Sequence, residues 1–148
     1  EWEEVLFLKR KSPLWYVWKL FFPEADMKKT IIAFMGNVYC PKSMESVTPD
    51  LALHELIHIR QQEFHRYKFP ANYILAIIWQ LKYIFSKKFR YAFELEAYGK
   101  QLVFLGILND GHLDKKLIQK VATIMSSSMY GNMISFNEVY PILTKVFS

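Results

Sequence analysis

Thr48-Pro49-Asp50 opens a helix whose next turns carry His54-Glu55-Leu56-Ile57-His58, and no other segment constrains the fold of this chain as tightly. A hydroxyl N-cap, a proline at the first helical position and an acid in the first turn each favour a helix start. Leu51, Leu53, Leu56, Ile57, Ile59 and Phe64 wrap most of the cylinder. The helix, expected to run to about His65, must therefore lie centrally and be covered on several sides. Positions i and i+4 share one face, about 40° apart, so both rings reach a single point. Buried imidazoles need partners, and a metal ion is one. Glu55, one residue round, sits beside that point, where a carboxylate can take a proton from a water whose pKa a zinc ion has lowered to about 7. The spacing is that of zinc hydrolases, and it describes a reaction as well as a site.

A chain of 148 residues suits one domain over residues 1–148 and can bury a substantial core without disulfides. Cys40 is the only cysteine, which excludes an internal disulfide, a cysteine zinc cluster and a cysteine redox pair. Hydrophobic residues make up 52% and aromatics 17%, yet no run reaches the roughly 18 apolar residues of a membrane span. The net charge of +5 is spread over short groups such as Lys28-Lys29 and Lys87-Lys88 with Arg90. Such pairs read as solvated faces, and without a long basic run or a recognisable motif nucleic acid is not the expected partner. The chain begins at Glu1 and gives no address; a soluble place in the cytoplasm or a virion is compatible with it. Oligomeric state is not legible.

Ser12-Pro13 starts a short helix that Pro23 stops, with Trp15, Trp18 and Phe22 on one face. That face reads either as a membrane-surface anchor or as packing onto the core, and the core is the expectation. Thr30 to Cys40, β-rich around Gly36-Asn37, predicts a hairpin or bent strand just upstream of the histidine helix, placed to pair with an extended peptide. Pro70 opens a third helix through about Phe85 that is apolar almost throughout; internal packing is expected, with peripheral contact to a bilayer as the alternative. A fourth helix spans about Arg90 to Leu108, where Gly99 and Gly106 suggest the close approach of a neighbouring helix. Asp114 caps a fifth helix to Met125, and Ser135 with Glu138 forms a capping box for a terminal helix limited or kinked at Pro141. The fold class is α+β, predominantly helical, with a small β hairpin or edge strand before the histidine helix.

Two histidines need a third protein ligand while a fourth position stays open. A histidine six residues beyond His58 is absent, because Phe64 stands there, and His65 lies about 10 Å up the axis on the same helix. The clear source is Phe93-Glu94-Leu95-Glu96-Ala97-Tyr98, after an intervening helix. With this segment the chain resembles the gluzincin zinc metallopeptidases, in the compact zincin-like form found in bacterial and phage genomes. The resemblance covers roughly residues 36–106 and extends to Ile59-Arg60-Gln61-Gln62. It implies a zincin-like domain holding Zn2+ through His54, His58 and Glu94, with Glu96 as the competing ligand. It also implies Glu55 as general base and a peptide or protein as substrate. Tyr98 stands where the family places an aspartate that supports a zinc histidine, so its hydroxyl or another acid has that role here.

Amide hydrolysis also needs a donor for the tetrahedral oxyanion, and His112, Tyr91, Tyr98, Arg90 and Tyr130 are the candidates. His112, after Asp110-Gly111, reads first as a surface turn residue. The alternatives are a metal-binding structural or interaction module without activity, and a helical domain that binds a membrane surface or partner through residues 15–22 and 73–85. A metal-free variant has His54 and His58 as core histidines bonded to Glu94 or Glu96.

Overall fold

A turn between two short apolar runs builds the hairpin. Met35 and Gly36 sit at φ 50° and 74°, the left-handed pair that a two-residue hairpin loop demands. Asn37 donates through Nδ2 to Met35 O at 2.9 Å and begins the second strand. The turn therefore lies one residue earlier than the Gly36-Asn37 dipeptide suggested.

The computed structural model of the chain describes residues 8–9, 14–41, 43–44, 46–63 and 68–146. Its elements are β1 (Leu8–Lys9), α1 (Leu14–Phe21), β2 (Ile32–Phe34), β3 (Asn37–Tyr39), α2 (Pro49–Gln61), α3 (Ala71–Phe85), α4 (Lys87–Leu108), α5 (Lys115–Met125), a 3-10 turn (Ser128–Tyr130) and α6 (Phe136–Val146). Helix dominates, as expected for the fold class. The sheet has the order β1-β3-β2, with β2 and β3 antiparallel and β1 parallel to β3. β2 is thus an edge strand and stands just before the histidine helix.

Capping explains most boundaries. Thr48 is the extended N-cap of α2, with Pro49 first in the helix; Ser86 and Asp114 cap α4 and α5 through their side chains. Ser135 and Glu138 form the expected box, Ser135 N donating to Glu138 Oε2 at 3.1 Å. α6 continues past Pro141, where the ring removes a backbone hydrogen bond and the remaining turns hold. α2 ends at Gln61 and Glu63 turns to φ 53°, short of the expected end; Phe64 and His65 lie outside the described residues, as does Pro13. Gly99 has no atom within 4 Å of where a Cβ would stand, and Gly106 meets Leu113 Cδ1 at 3.0 Å. The two glycines therefore do not mark a helix crossing; Gly106 admits the chain returning from its own turn.

Three apolar clusters cover the polar centre. Leu102, Ile118, Val121, Met125, Val139 and Leu143 join α4, α5 and α6. Ala33, Val38, Cys40, Ala52 and Ile59 seat the hairpin on α2. Phe22, Ala25, Trp79 and Tyr83 join α1 to α3. The inner face of α1 thus packs on the core, as expected. α3 departs from its expected interior packing: Ala76, Trp79 and Tyr83 are buried, but Tyr73, Ile74, Ile77, Ile78, Leu81 and Phe85 are exposed. Among the described residues no helix is long and apolar enough to cross a membrane.

Candidate metal centre

α2 packs along α4, and this contact brings together side chains that the chain separates. His54 Nε2 and His58 Nε2 lie 3.1 Å apart. Glu94 places Oε2 3.3 Å from the first and Oε1 3.3 Å from the second. All three residues are buried, and one ligand atom from each falls within 4.8 Å of the others.

The surrounding hydrogen bonds fix what these atoms present. Gln101 Nε2 donates to the Asp50 carboxylate at 2.7 Å, an acceptor only, so its Oε1 is the atom facing His54 Nδ1 at 3.2 Å. Gln61 Nε2 donates to Phe93 O at 3.1 Å and Glu96 Oε2 at 2.9 Å, which turns its Oε1 to His58 Nδ1 at 2.9 Å. Each Nδ1 then carries a proton, and Nε2 is the ring atom turned inward toward Glu94. The Tyr83 hydroxyl donates to Glu94 Oε1, whereas buried Glu94 Oε2 has no hydrogen-bond partner among the described residues.

Two imidazole nitrogens and a carboxylate converging in a buried space need a shared positive charge, which a proton on His58 or a metal ion supplies. The donor set therefore fits a metal ion. Its protonation agrees. Burial opposes the charged form of Glu94, yet the adjacent imidazoles hold its carboxyl well below the usual range. Burial likewise opposes His58⁺, but the Glu94 carboxylate outweighs it and lifts the pKa to about 9. The cluster keeps its anion and draws a positive charge.

Glu55 is buried beside the cluster, and desolvation pushes its carboxyl upward, with Glu94 adding to this and the two imidazoles opposing. Glu96 stands apart: its carboxylate meets Gln61 and, at 3.7 Å, Lys100 Nζ on a half-exposed surface. The two glutamates thus separate into one that joins the histidines and one that supports Gln61. The Tyr98 ring lies edge-on to His54 with centroids 4.3 Å apart, but its hydroxyl pairs with that of Tyr130 at 3.0 Å. Support for His54 comes from Gln101, one turn further along α4 than Tyr98, with Asp50 behind it.

A cavity of about 250 Å³ adjoins the cluster, walled by Trp18, Phe22, Trp79, Tyr98 and Tyr130 among others. Of the expected oxyanion donors, Tyr98 and Tyr130 reach it, and burial followed by Glu94 raises both hydroxyls so that they stay protonated. Arg90 is committed elsewhere, donating to Tyr83 O at 2.6 Å, Ile84 O at 3.0 Å and Tyr130 O at 3.0 Å. Tyr91 packs against the α4–α6 core. His112 is exposed in the turn after α4, beside a different pocket with Leu105 and Leu117.

Sequence reasoning missed Gln101, Tyr83 and Trp79. Gln101 lies two helical turns beyond Glu94, a spacing that puts both on one face. Trp79 stacks between Tyr83 and Phe93 at centroid distances of 5.1 and 5.0 Å, and its buried indole N–H has no acceptor among the described residues. The outer edge of β2 is partly taken. Gln62 spans it, donating to Ala33 O at 2.7 Å and accepting from Met35 N at 3.0 Å, and Gln80 adds a second donor to Ala33 O at 3.0 Å.

No protein-family model matches this chain, and neither does any curated protein or solved structure.

Proposed function

We propose that the chain is a zinc-dependent metallopeptidase of gluzincin type, with His54, His58 and Glu94 as metal ligands and Glu55 as general base. The observation that carries this reading is the convergence of one ligand atom each from His54, His58 and Glu94 on a buried point, with each Nδ1 facing a glutamine oxygen. Two imidazoles and one carboxylate suit zinc, which would be held by these three residues. When bound, the ion supplies Lewis acidity, polarising an amide carbonyl and making water acidic enough to lose a proton near neutral pH.

The chain's own groups do the rest. Glu55 takes the proton from water and delivers it to the leaving amine nitrogen. In the Tyr98–Tyr130 pair one hydroxyl proton is spent between the two oxygens and the other is free to meet a developing oxyanion, a contact worth about 2.7–4 kcal/mol when well placed. Trp18, Phe22 and Trp79 exclude water and favour large apolar side chains next to the scissile bond.

Elemental analysis of the purified chain tests the first step: we expect about one zinc per chain, lost in His58→Ala. Cleavage of a peptide pool by the zinc-loaded protein, abolished in Glu55→Gln with the zinc retained, tests the second. Absence of zinc overturns the whole reading. Zinc without cleavage leaves a metal-binding module and overturns the enzyme.

A further inference from the structure

α1 and α3 are apolar on the side that faces away from the core. On α1, Tyr16 and Leu20 expose 83% and 78% of their surface; on α3, Ile74 and Phe85 expose 52% and 70%. Val17, Phe21, Ile77, Ile78 and Leu81 on the same two helices are exposed as well. The two helices are joined at this face by the Phe21–Phe85 ring contact, with centroids 5.4 Å apart. Monomeric proteins rarely leave so many large apolar side chains exposed on two touching helices without a partner.

Charge selects the partner. Neither α1 nor α3 contains an acidic residue. The nearest acids after α1, Glu24 and Asp26, follow Pro23, and Asp26 Oδ1 is occupied by Lys28 N at 3.0 Å. Lysines instead adjoin these helices: Lys68 before α3, Lys82 on α3 with Nζ 5.0 Å over the Phe89 ring, and at the start of α4 exposed Lys88 with Lys87, whose Nζ donates to Asn132 O at 3.4 Å. None of these lysines is ion-paired among the described residues. A second copy of the chain would set lysine against lysine across such an interface. An apolar centre with aromatic edges and a cationic rim suits the headgroup and acyl boundary of an anionic bilayer.

We propose that the α1–α3 face docks the chain on an anionic membrane surface. The inner faces of these helices supply Trp18, Trp79 and Tyr83 to the cavity beside His54 and His58, with Phe22 just after α1, so docking holds that cavity at the lipid boundary. Docking itself does not depend on the metal.

Co-sedimentation of the full chain with phosphatidylcholine vesicles, with and without phosphatidylglycerol, tests this. We expect binding to the anionic vesicles, at least about tenfold weaker on phosphatidylcholine alone, unaffected by chelator and weakened as ionic strength rises from about 0.1 to about 0.5 M. Ile74→Glu with Ile78→Glu should lower binding at least about tenfold. Lys82→Glu with Lys88→Glu should remove the salt-sensitive part, and Val103→Glu, an exposed apolar position on α4 outside this face, should change nothing. Vesicle binding that survives both double variants overturns the proposal. So does the absence of vesicle binding, including the case where the face drives self-association that Ile74→Glu with Ile78→Glu abolishes.

Discussion

Helices α2 and α3 both lean on α4 and depart from the rule of apolar inside and polar outside in opposite directions. α2 encloses His54, Glu55 and His58, and the two imidazoles are satisfied through Gln101, backed by Asp50, and through Gln61. α3 buries three residues and turns six large apolar ones to the outside. A buried polar group or an exposed apolar face is the informative exception in a folded chain. In α2 the exception closes on a point and asks for an ion. In α3 it spreads over a face and asks for a surface. One depends on angles and protonation, the other on area and charge, and the two respond to different perturbations.

The widest separation between the helices comes from Glu55→Gln, expected to lower turnover by about 10²- to 10⁴-fold at unchanged zinc content, while glutamates placed on the outer face of α3 leave peptide hydrolysis in solution unchanged. Glu94→Ala should lose the metal, measured by titration against a zinc chelator, whereas Glu96→Ala should retain it. If the two variants exchange outcomes, the assignment of the third ligand is wrong. Gln101→Leu frees the His54 tautomer and should weaken zinc binding about 10- to 100-fold; an unchanged affinity would mean that the ring is held by its packing against Tyr98.

Proton linkage sharpens the contrast further, because the exposed apolar residues of α3 have no counterpart to it. His58 in the fold titrates at about 9, against about 6.5 in an unfolded chain. Its favourable contribution is complete below about 6.5 and is lost as pH rises through about 9. Metal-free protein should therefore melt at a lower temperature at pH 9 than at pH 6, and zinc uptake between those values should release a proton measurable by calorimetry in buffers of different ionisation enthalpy. The smallest effect belongs to Ile77→Lys, expected to shift stability by no more than about 0.5 kcal/mol; Trp79→Ala on the opposite face of the same helix should cost about 3–5 kcal/mol.

The sequence exposed the centre more readily than the surface. His54 and His58 were legible because i,i+4 spacing is a local property of one helix, and Glu94 because one segment downstream offered suitable carboxylates. The choice between Glu94 and Glu96 needed the facing helix: positions two apart on α4 point in quite different directions, and only the α2 contact shows which one looks inward. Gln101 escaped notice because a neutral amide carries no signal of its own and gains its role through Asp50. For α3, continuous apolar character hid which residues were inside, since a helix greasy all round has no polar stripe to mark its outer face. The hairpin came from its β-branched and turn residues, but its turn was displaced because Met35 at positive φ is a conformation that composition does not announce.

The Gln62 side chain laid across Ala33 and Met35 has a consequence for selectivity. A ribbon whose rim is already stitched by carboxamides offers an incoming polypeptide no long backbone zipper at those residues. Discrimination then falls to the shape of whatever group settles among the indole and phenyl rings, and a ligand is chosen by its bulk more than by its length.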